Sequence, residues 1–455
     1  MFTTEKFLRL FYLVSPAKTT FTSLDQVPDY INEAIPYFVM TIGLEAAFYV
    51  VFDPKAFKSH KGKWNQGKFR LNDMIGSITA GSLQQLSSLF IRGVELGAYI
   101  YVWDNFRLSQ FQLDATSPIT WIAAFLAADC GYYWFHRAAH EINLFWAAHA
   151  VHHSSEYYNQ TTALRQSIVQ VFTSWMFYLP AALIIPPTMF SVHKQLTTLY
   201  QYWIHTETVP RLGWLEYIIN TPSAHRVHHG RNPYCIDKNY AGTLIIWDRM
   251  FGTYQEETDE KVAFGTTHPI NTFNPIEVQT VHFKHVLKTC YETPGIVNKL
   301  KVLFYGPGWH DDTPRLGLNE EIPPISQASP PVKYDPIIPT NNSIYALVHT
   351  GILIGLMDFT LLNLKKMPLG KPMAAWITLG FFSIGQIIDG KQSSRVLEIT
   401  RMILGLGLTH LGRKHLTDAG FSGKATTALS AIYGASLLYS VLQRNWKVLP
   451  EKKTQ

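Results

Sequence analysis

The chain has 455 residues, 47% of them hydrophobic and only 16% charged, where an ordinary soluble domain carries about a quarter charged residues. That balance argues against a soluble protein, and three scattered cysteines, Cys130, Cys235 and Cys290, exclude a disulfide framework or a paired-cysteine zinc knuckle. A net charge of +6 on dispersed basic residues suits an anionic lipid surface and carries no RNA or DNA signature.

Met1 to Asp29 mixes charge, proline and the short apolar run FLRLFYLV, without the long apolar stretch or cleavage site of a secretory signal. Membrane entry is therefore expected from internal segments of about 20 apolar residues. A first group comprises Pro36 to Phe52, a weaker stretch from Met74 to Trp103, Pro118 to Phe135, and Ile168 to Ile204, which is punctuated by Pro180, Pro186 and Pro187. A second comprises Ile344 to Leu362, Met373 to Ile388, Val396 to Leu411 and Thr426 to Leu442. Between them, His205 to Asn342 is too polar to cross a bilayer and ends in the Pro-rich, extended EEIPPISQASPPVKYDPIIPT. The chain accordingly divides into a catalytic membrane domain, 1–342, and a C-terminal transmembrane helical bundle, 343–455.

Eight histidines form three clusters: His136 and His140 (H-x3-H), then His149, His152 and His153, then His225, His228 and His229 (both H-x2-H-H). With 18 histidines in the chain, chance gives one H-x2-H-H in roughly one such sequence in thirty, and two far more rarely. Neutral imidazoles are good ligands for iron, copper, zinc or nickel, and residues three and four apart on a helix share a face. A structural site seldom needs more than four ligands, so eight or nine point to a dinuclear centre with open positions. His205 in YQYWIHTE is the best additional ligand, whereas His193, His349, His410 and His415 stand alone and are expected to be non-ligating.

Pro118 to His140 reads as one helix leaving the bilayer. Asp129 lies on the histidine stripe two turns earlier, either orienting a ligand from behind or pairing with a distant Lys or Arg. Glu141 is a candidate for the same supporting work or for cofactor binding, or else a solvated helix-end carboxylate. Tyr132, Tyr133, Trp134 and Trp203 are candidates for an apolar substrate slot or for an interfacial belt. Ligands of one site share one side of the membrane, so Ile168 to Ile204 crosses twice or not at all, and a hairpin near Pro186 and Pro187 satisfies this. Lys55 to Arg70 holds six Lys or Arg residues while Asp104 to Ser117 holds only Arg107. The positive-inside rule then puts the clusters on the cytosolic face. The ending Lys452, Lys453, Thr454, Gln455 resembles a dilysine retrieval signal of endoplasmic-reticulum membrane proteins.

Soluble di-iron bundles use mostly glutamate, whereas this site is nearly all imidazole. The three clusters, in this order, resemble the fatty acid hydroxylase superfamily. The flanking words DCGYYWFHRAAHE, WAAHAVHHSSEYYN, YQYWIHTE, NTPSAHRVHHGRNPYCIDKNYAG and IIWDRMFGT resemble its tetrahydrobiopterin-dependent, ether-lipid-cleaving members. The resemblance is specific in the centre of Phe21 to Leu318, and the C-terminal helices match only in character. It implies an all-α polytopic membrane protein of the endoplasmic reticulum whose cytosol-facing domain holds two iron ions on the eight clustered histidines. It also implies O2 and an ether lipid as substrates and tetrahydrobiopterin as electron source, with Glu141 as the candidate pterin contact. Two other readings stand: a sterol or fatty-acyl hydroxylase or desaturase with the same metal core, and a histidine-rich zinc transporter. Oligomeric state is not written in the sequence.

Overall fold

A computed structural model describes residues 2–448 apart from 59–67, 92, 112, 115, 327–329, 365–366 and 444. Most of the basic 55–70 loop and the Lys452 to Gln455 ending thus lie outside the described residues. Those described are helical, with an isolated antiparallel bridge between Gly230 and Phe264 in place of any strand. They form two compact units. One joins Met1–Arg70, Ile91–Pro269 and Val281–Lys333; the other joins Leu71–Phe90, Ile270–Thr280 and Tyr334–Gln455.

The first unit is organised by α1 (Tyr30–Phe52), α2 (Pro118–Glu141), α3 (Asn143–His153), α4 (Pro187–Trp203) and α5 (Pro222–His228). Sequence signals set most of their ends. Ser117 accepts from the Ile119 N–H, and Pro118 follows where its missing N–H costs nothing. Thr221 and Pro222 begin α5 in the same way. Between α2 and α3 a single extended residue, Ile142 (φ −124°, ψ 115°), breaks the helical run. The break turns α3 back onto α2, and Asn143 holds the corner by donating to the Val302 carbonyl at 2.9 Å.

Helix α4 packs on α1 and α2. Its buried Val192, Leu196, Leu199 and Tyr202 recur at helical spacing and meet Leu10, Tyr30, Ala34 and Tyr37. The long apolar stretch Ile168 to Ile204 is two pieces: a short α and 3₁₀ segment, Val171 to Leu183, and then α4, which starts afresh at Pro187 after the extended Pro186. Both pieces pack against α2. The expected 74–103 segment is likewise two helices, Leu71–Ile91 and Val94–Phe106, separated at Gly93, whose φ of 97° suits glycine.

The second unit contains α6 (Thr340–Asn363), α7 (Gly370–Ile388), α8 (Ser394–Leu411) and α9 (Gly423–Leu442). Its interior is partly polar. Fully buried Arg401 makes a two-pronged ion pair with Glu398 and donates to His349 Nδ1 at 3.1 Å, while His349 Nε2 meets Ser436 Oγ at 2.9 Å. His349 is thus engaged away from any histidine group.

Three described segments are long and apolar enough to cross a membrane: Leu24–Phe52, Thr340–Asn363 and Gly423–Leu442. The other expected spans form helices, but α2 and α8 bury Asp129, Glu398 and Arg401 within their own units, which lowers their apolar content.

Candidate metal centre

Nine buried histidines converge in the first unit. They form two groups: His136, His140, His149, His153 and His228, and then His152, His205, His225 and His229. All eight clustered histidines and His205 are included; His193 is not, its Nδ1 meeting the Tyr12 hydroxyl at 2.7 Å.

Helical geometry explains the sequence pattern. Residues four apart on a helix point the same way, so His136 with His140 and His149 with His153 serve the first group, and His225 with His229 the second. Adjacent residues point about 100° apart, so each His-His pair divides. His152 goes to the second group and His153 to the first; His228 goes to the first and His229 to the second. The dividing pairs keep the groups side by side, with the His153 and His229 rings stacked at 4.3 Å.

The inward nitrogens are identifiable. His136 Nδ1 donates to the Tyr240 carbonyl at 2.8 Å, His152 Nδ1 to Arg165 at 3.1 Å, His205 Nδ1 to Gln201 at 2.7 Å and His228 Nδ1 to Lys238 at 2.9 Å. A carbonyl only accepts, so Nδ1 carries the proton and Nε2 presents a lone pair. The Nε2 atoms converge, and the lone pairs of His205 and His152 face each other. His205 Nε2 lies 3.2, 3.1 and 3.0 Å from the Nε2 atoms of His152, His229 and His225, and His136 Nε2 lies 2.9 Å from that of His149. Ligands held about 2.0–2.1 Å from one ion are spaced about 3.0–3.4 Å apart. Buried His140 Nε2 and His228 Nε2 have no hydrogen-bond partner, a deficit of about 1–3 kcal/mol each. Cations among these nitrogens would relieve both the facing lone pairs and the orphaned atoms, so the residues fit metal ions.

Burial also holds the rings in the neutral, ligating form: it pushes His152 down to about 4 and His228 to about 3. His153, His205, His225 and His229 move the same way, through burial first and neighbouring imidazoles second.

The two carboxylates singled out in the sequence stand behind the centre. Asp129 accepts from the Thr243 and Leu244 N–H groups at 2.8 and 2.9 Å and from Trp247 Nε1 at 3.0 Å; its partners include neither a histidine nor a Lys or Arg. Asp248 accepts from the Tyr240 and Ala241 N–H groups at 2.8 Å each. Together they brace the loop whose Tyr240 carbonyl orients His136. The loop lies so close to α2 that a Cβ on Gly242 would come within 2.9 Å of Tyr132 Cδ1 and 3.0 Å of Asp129 Oδ1. Glu141 is not solvated: it pairs with Arg137 at 2.8 Å and Arg315 at 3.0 Å.

Of the four aromatic residues, Tyr132 lies against His136 with ring centroids 5.1 Å apart. Tyr133 bonds Thr253, Trp134 packs on Phe251 and Trp203 on Phe11. Asp237, outside the histidine pattern, places its carboxylate 3.7 Å from His140 Nδ1, and burial, then nearby Glu141, pushes it up to about 7. Its signal was present within the word NPYCIDKNYAG. Arg226, between His225 and His228, grips Glu257 with two bonds of 2.7 Å and donates to the Thr206 and Val209 carbonyls, tying α5 to the segment after His205.

A helical, membrane-directed chain with two facing all-imidazole groups defines the class of histidine-rich membrane hydroxylases, and the sequence model of the fatty acid hydroxylase family matches residues 121–253, which include all nine histidines. Three curated relatives are similar over most of their length. Alkylglycerol monooxygenase of Homo sapiens is 44% identical over 448 residues, covering 97% of each chain. That of Danio rerio is 44% identical over 98% of this chain and 96% of its own. That of Xenopus tropicalis is 47% identical over 88% of this chain and 86% of its own. The chain belongs to the alkylglycerol monooxygenase family. No solved structure matches it.

Proposed function

We propose that this protein is a membrane monooxygenase that cleaves the O-alkyl ether bond of alkylglycerols and lyso ether lipids. The observation that carries the reading is the nine-imidazole centre, divided five and four with no carboxylate in either group, in a chain of this family. The first group is the proposed ligand set of one iron ion and the second that of another. Two irons with O2, and tetrahydrobiopterin as electron donor, would supply the oxidant that puts one oxygen atom into a C–H bond while the other leaves as water.

The substrate's own chemistry selects the site of attack. The C–H bond beside the ether oxygen is the weakest, because the oxygen lone pair stabilises a radical there. Hydroxylation at that carbon gives a hemiacetal, which collapses to a fatty aldehyde and a glycerol hydroxyl. The protein's part is placement. Backbone carbonyls of residues 165, 201, 238 and 240 hold four imidazoles in the ligating tautomer. Tyr158, stacked on Phe264 at 4.7 Å, lies over His229 and His205 and screens the second group from water. Asp129 is a positioning residue acting through the 240–244 loop. Glu141, engaged by two arginines, keeps the proposed pterin contact only if a pterin reaches its ion pair. The centre is assigned to the cytosolic face of the endoplasmic reticulum.

A sterol or fatty-acyl hydroxylase or desaturase is not favoured, since the similarity to alkylglycerol monooxygenases spans nearly the whole chain. A zinc transporter needs ionisable ligands within its spans, whereas the nine histidines lie outside the three candidate spans. Membranes containing the chain, supplied with an alkylglycerol, O2 and tetrahydrobiopterin, are expected to release fatty aldehyde. Release with NADH and cytochrome b5 but not with pterin would overturn the pterin assignment, and oxidation of sterol or acyl lipid without ether cleavage would overturn the substrate.

A further inference from the structure

From Pro118 to Trp134 every exposed residue of α2 is apolar, and Ile119, Ile122, Leu126 and Trp134 among them share one stripe at helical spacing. An outward face of this kind suits hydrocarbon. The stripe ends where the Arg137 guanidinium lies over the Trp134 ring at 5.7 Å. An aromatic ring beside a cation at a helix end is the pairing that sits at headgroup level.

The apolar surface does not stop there. Phe251 packs on Trp134 with ring centroids 4.8 Å apart, and its neighbour Met250 is 64% exposed. Arg249, on the same short helix Ile246–Phe251, clasps the turn Gly213–Tyr217. Its Nη2 donates to the Glu216 carbonyl at 3.0 Å, and its guanidinium lies 4.8 Å from the Tyr217 ring. That turn leaves Trp214 70% and Tyr217 66% exposed, with exposed Ile218 directly after it. Apolar side chains exposed singly are ordinary, but here they adjoin one another, which marks an interaction surface. Trp and Tyr around a cation make up the composition of a membrane-water boundary, where rings are buried while N–H, O–H and guanidinium groups reach headgroups.

We propose that Trp214, Tyr217, Ile218 and Met250 rest in the headgroup region of the bilayer, a membrane contact separate from the spans that fixes the depth of the metal centre. The partner is a lipid surface because the patch begins at the Trp134 end of the α2 stripe and carries its apolar face onward. Both halves of the patch are tied to the loop that orients His136. Asp248, on the short helix, accepts from the Tyr240 and Ala241 N–H groups at 2.8 Å each. Asn220, just after the turn, donates its N–H to the Thr243 carbonyl at 2.8 Å and its side-chain amide to the Ala241 carbonyl at 2.7 Å. A bilayer contact at the patch therefore sets how far the histidines stand from the membrane, whichever lipid is the substrate.

The test uses the full chain in vesicles of phosphatidylcholine and phosphatidylserine. Trp214→Cys and Met250→Cys are each labelled with a fluorophore, and the signal of identically treated wild type is subtracted to remove label on Cys130 and Cys290, which are not fully buried. Both side chains point outward, so neither substitution opens a cavity. Interfacial segments sit about 5–10 Å into the headgroup and acyl boundary, so both probes are expected to lose about half their emission when the lipids are brominated high on the acyl chains. Absence of that quenching at either position would overturn the proposal. Quenching by iodide in its place would put the patch in water, and protection from both quenchers would put a second protein surface on it.

Discussion

His152 and His153 are neighbours in the chain that point into different groups, and this makes the dinuclear reading testable one residue at a time. His153→Ala is expected to deplete the ion of the five-histidine group and His152→Ala that of the four-histidine group. Each should lower metal content from about two ions per chain toward one and cut turnover by more than about 100-fold, since outer partners of metal ligands alone are worth 10–100-fold. Metal analysis and an iron-specific spectrum of the two variants check it; identical spectra would mean a single shared site. Asp129→Asn retains the shape but turns an amide toward N–H donors. It is expected to lose about 1–3 kcal/mol of stability and to lower kcat about tenfold with KM little changed, read by thermal unfolding and steady-state kinetics. The ligand types were legible because H-x3-H and H-x2-H-H are short-range patterns. Their allotment to two groups was not, since it depends on α3 folding back at Ile142. Nor were the partners of Asp129, which lie 114 to 118 residues away.

Helix α4 connects the N-terminal segment, α1 and the centre, because His205 follows its last turn and Leu196 sits in its buried face. Leu196→Ala removes a fully buried side chain and is expected to cost about 2–5 kcal/mol, seen as a lower unfolding temperature of the purified protein. Little change would mean that α4 is not anchored through this face. The prolines of Ile168 to Ile204 predicted a break near 186, and α4 does begin at Pro187. Apolar composition did not reveal that the piece before it is largely 3₁₀. Hydropathy also marked α2 and α8 as spans without disclosing their buried charges: Asp129 is held by the 243–247 segment, and Arg401 and Glu398 pair within α8.

Across the whole molecule, neutral buried imidazoles link stability to pH. The folded chain holds His152 down to about 4 and His228 to about 3, against an ordinary 6.5. Below pH 6.5 the unfolded chain takes up protons that the folded chain refuses. Metal-free protein is therefore expected to lose stability progressively as pH falls from about 6.5 toward 4, and to be insensitive to these groups above it. Unfolding midpoints of the chelated protein across that range check this. Ions bound among the nine imidazoles should raise the midpoint, as any ligand specific to the folded state does.

Metal analysis of the full chain, purified without added metal and assayed on an alkylglycerol with O2 and tetrahydrobiopterin, bears on the central claim most directly. About two iron ions per chain, lost together with aldehyde release on chelation, is the predicted result. A single ion per chain, or zinc in both places with no oxidation of any ether lipid, would contradict it.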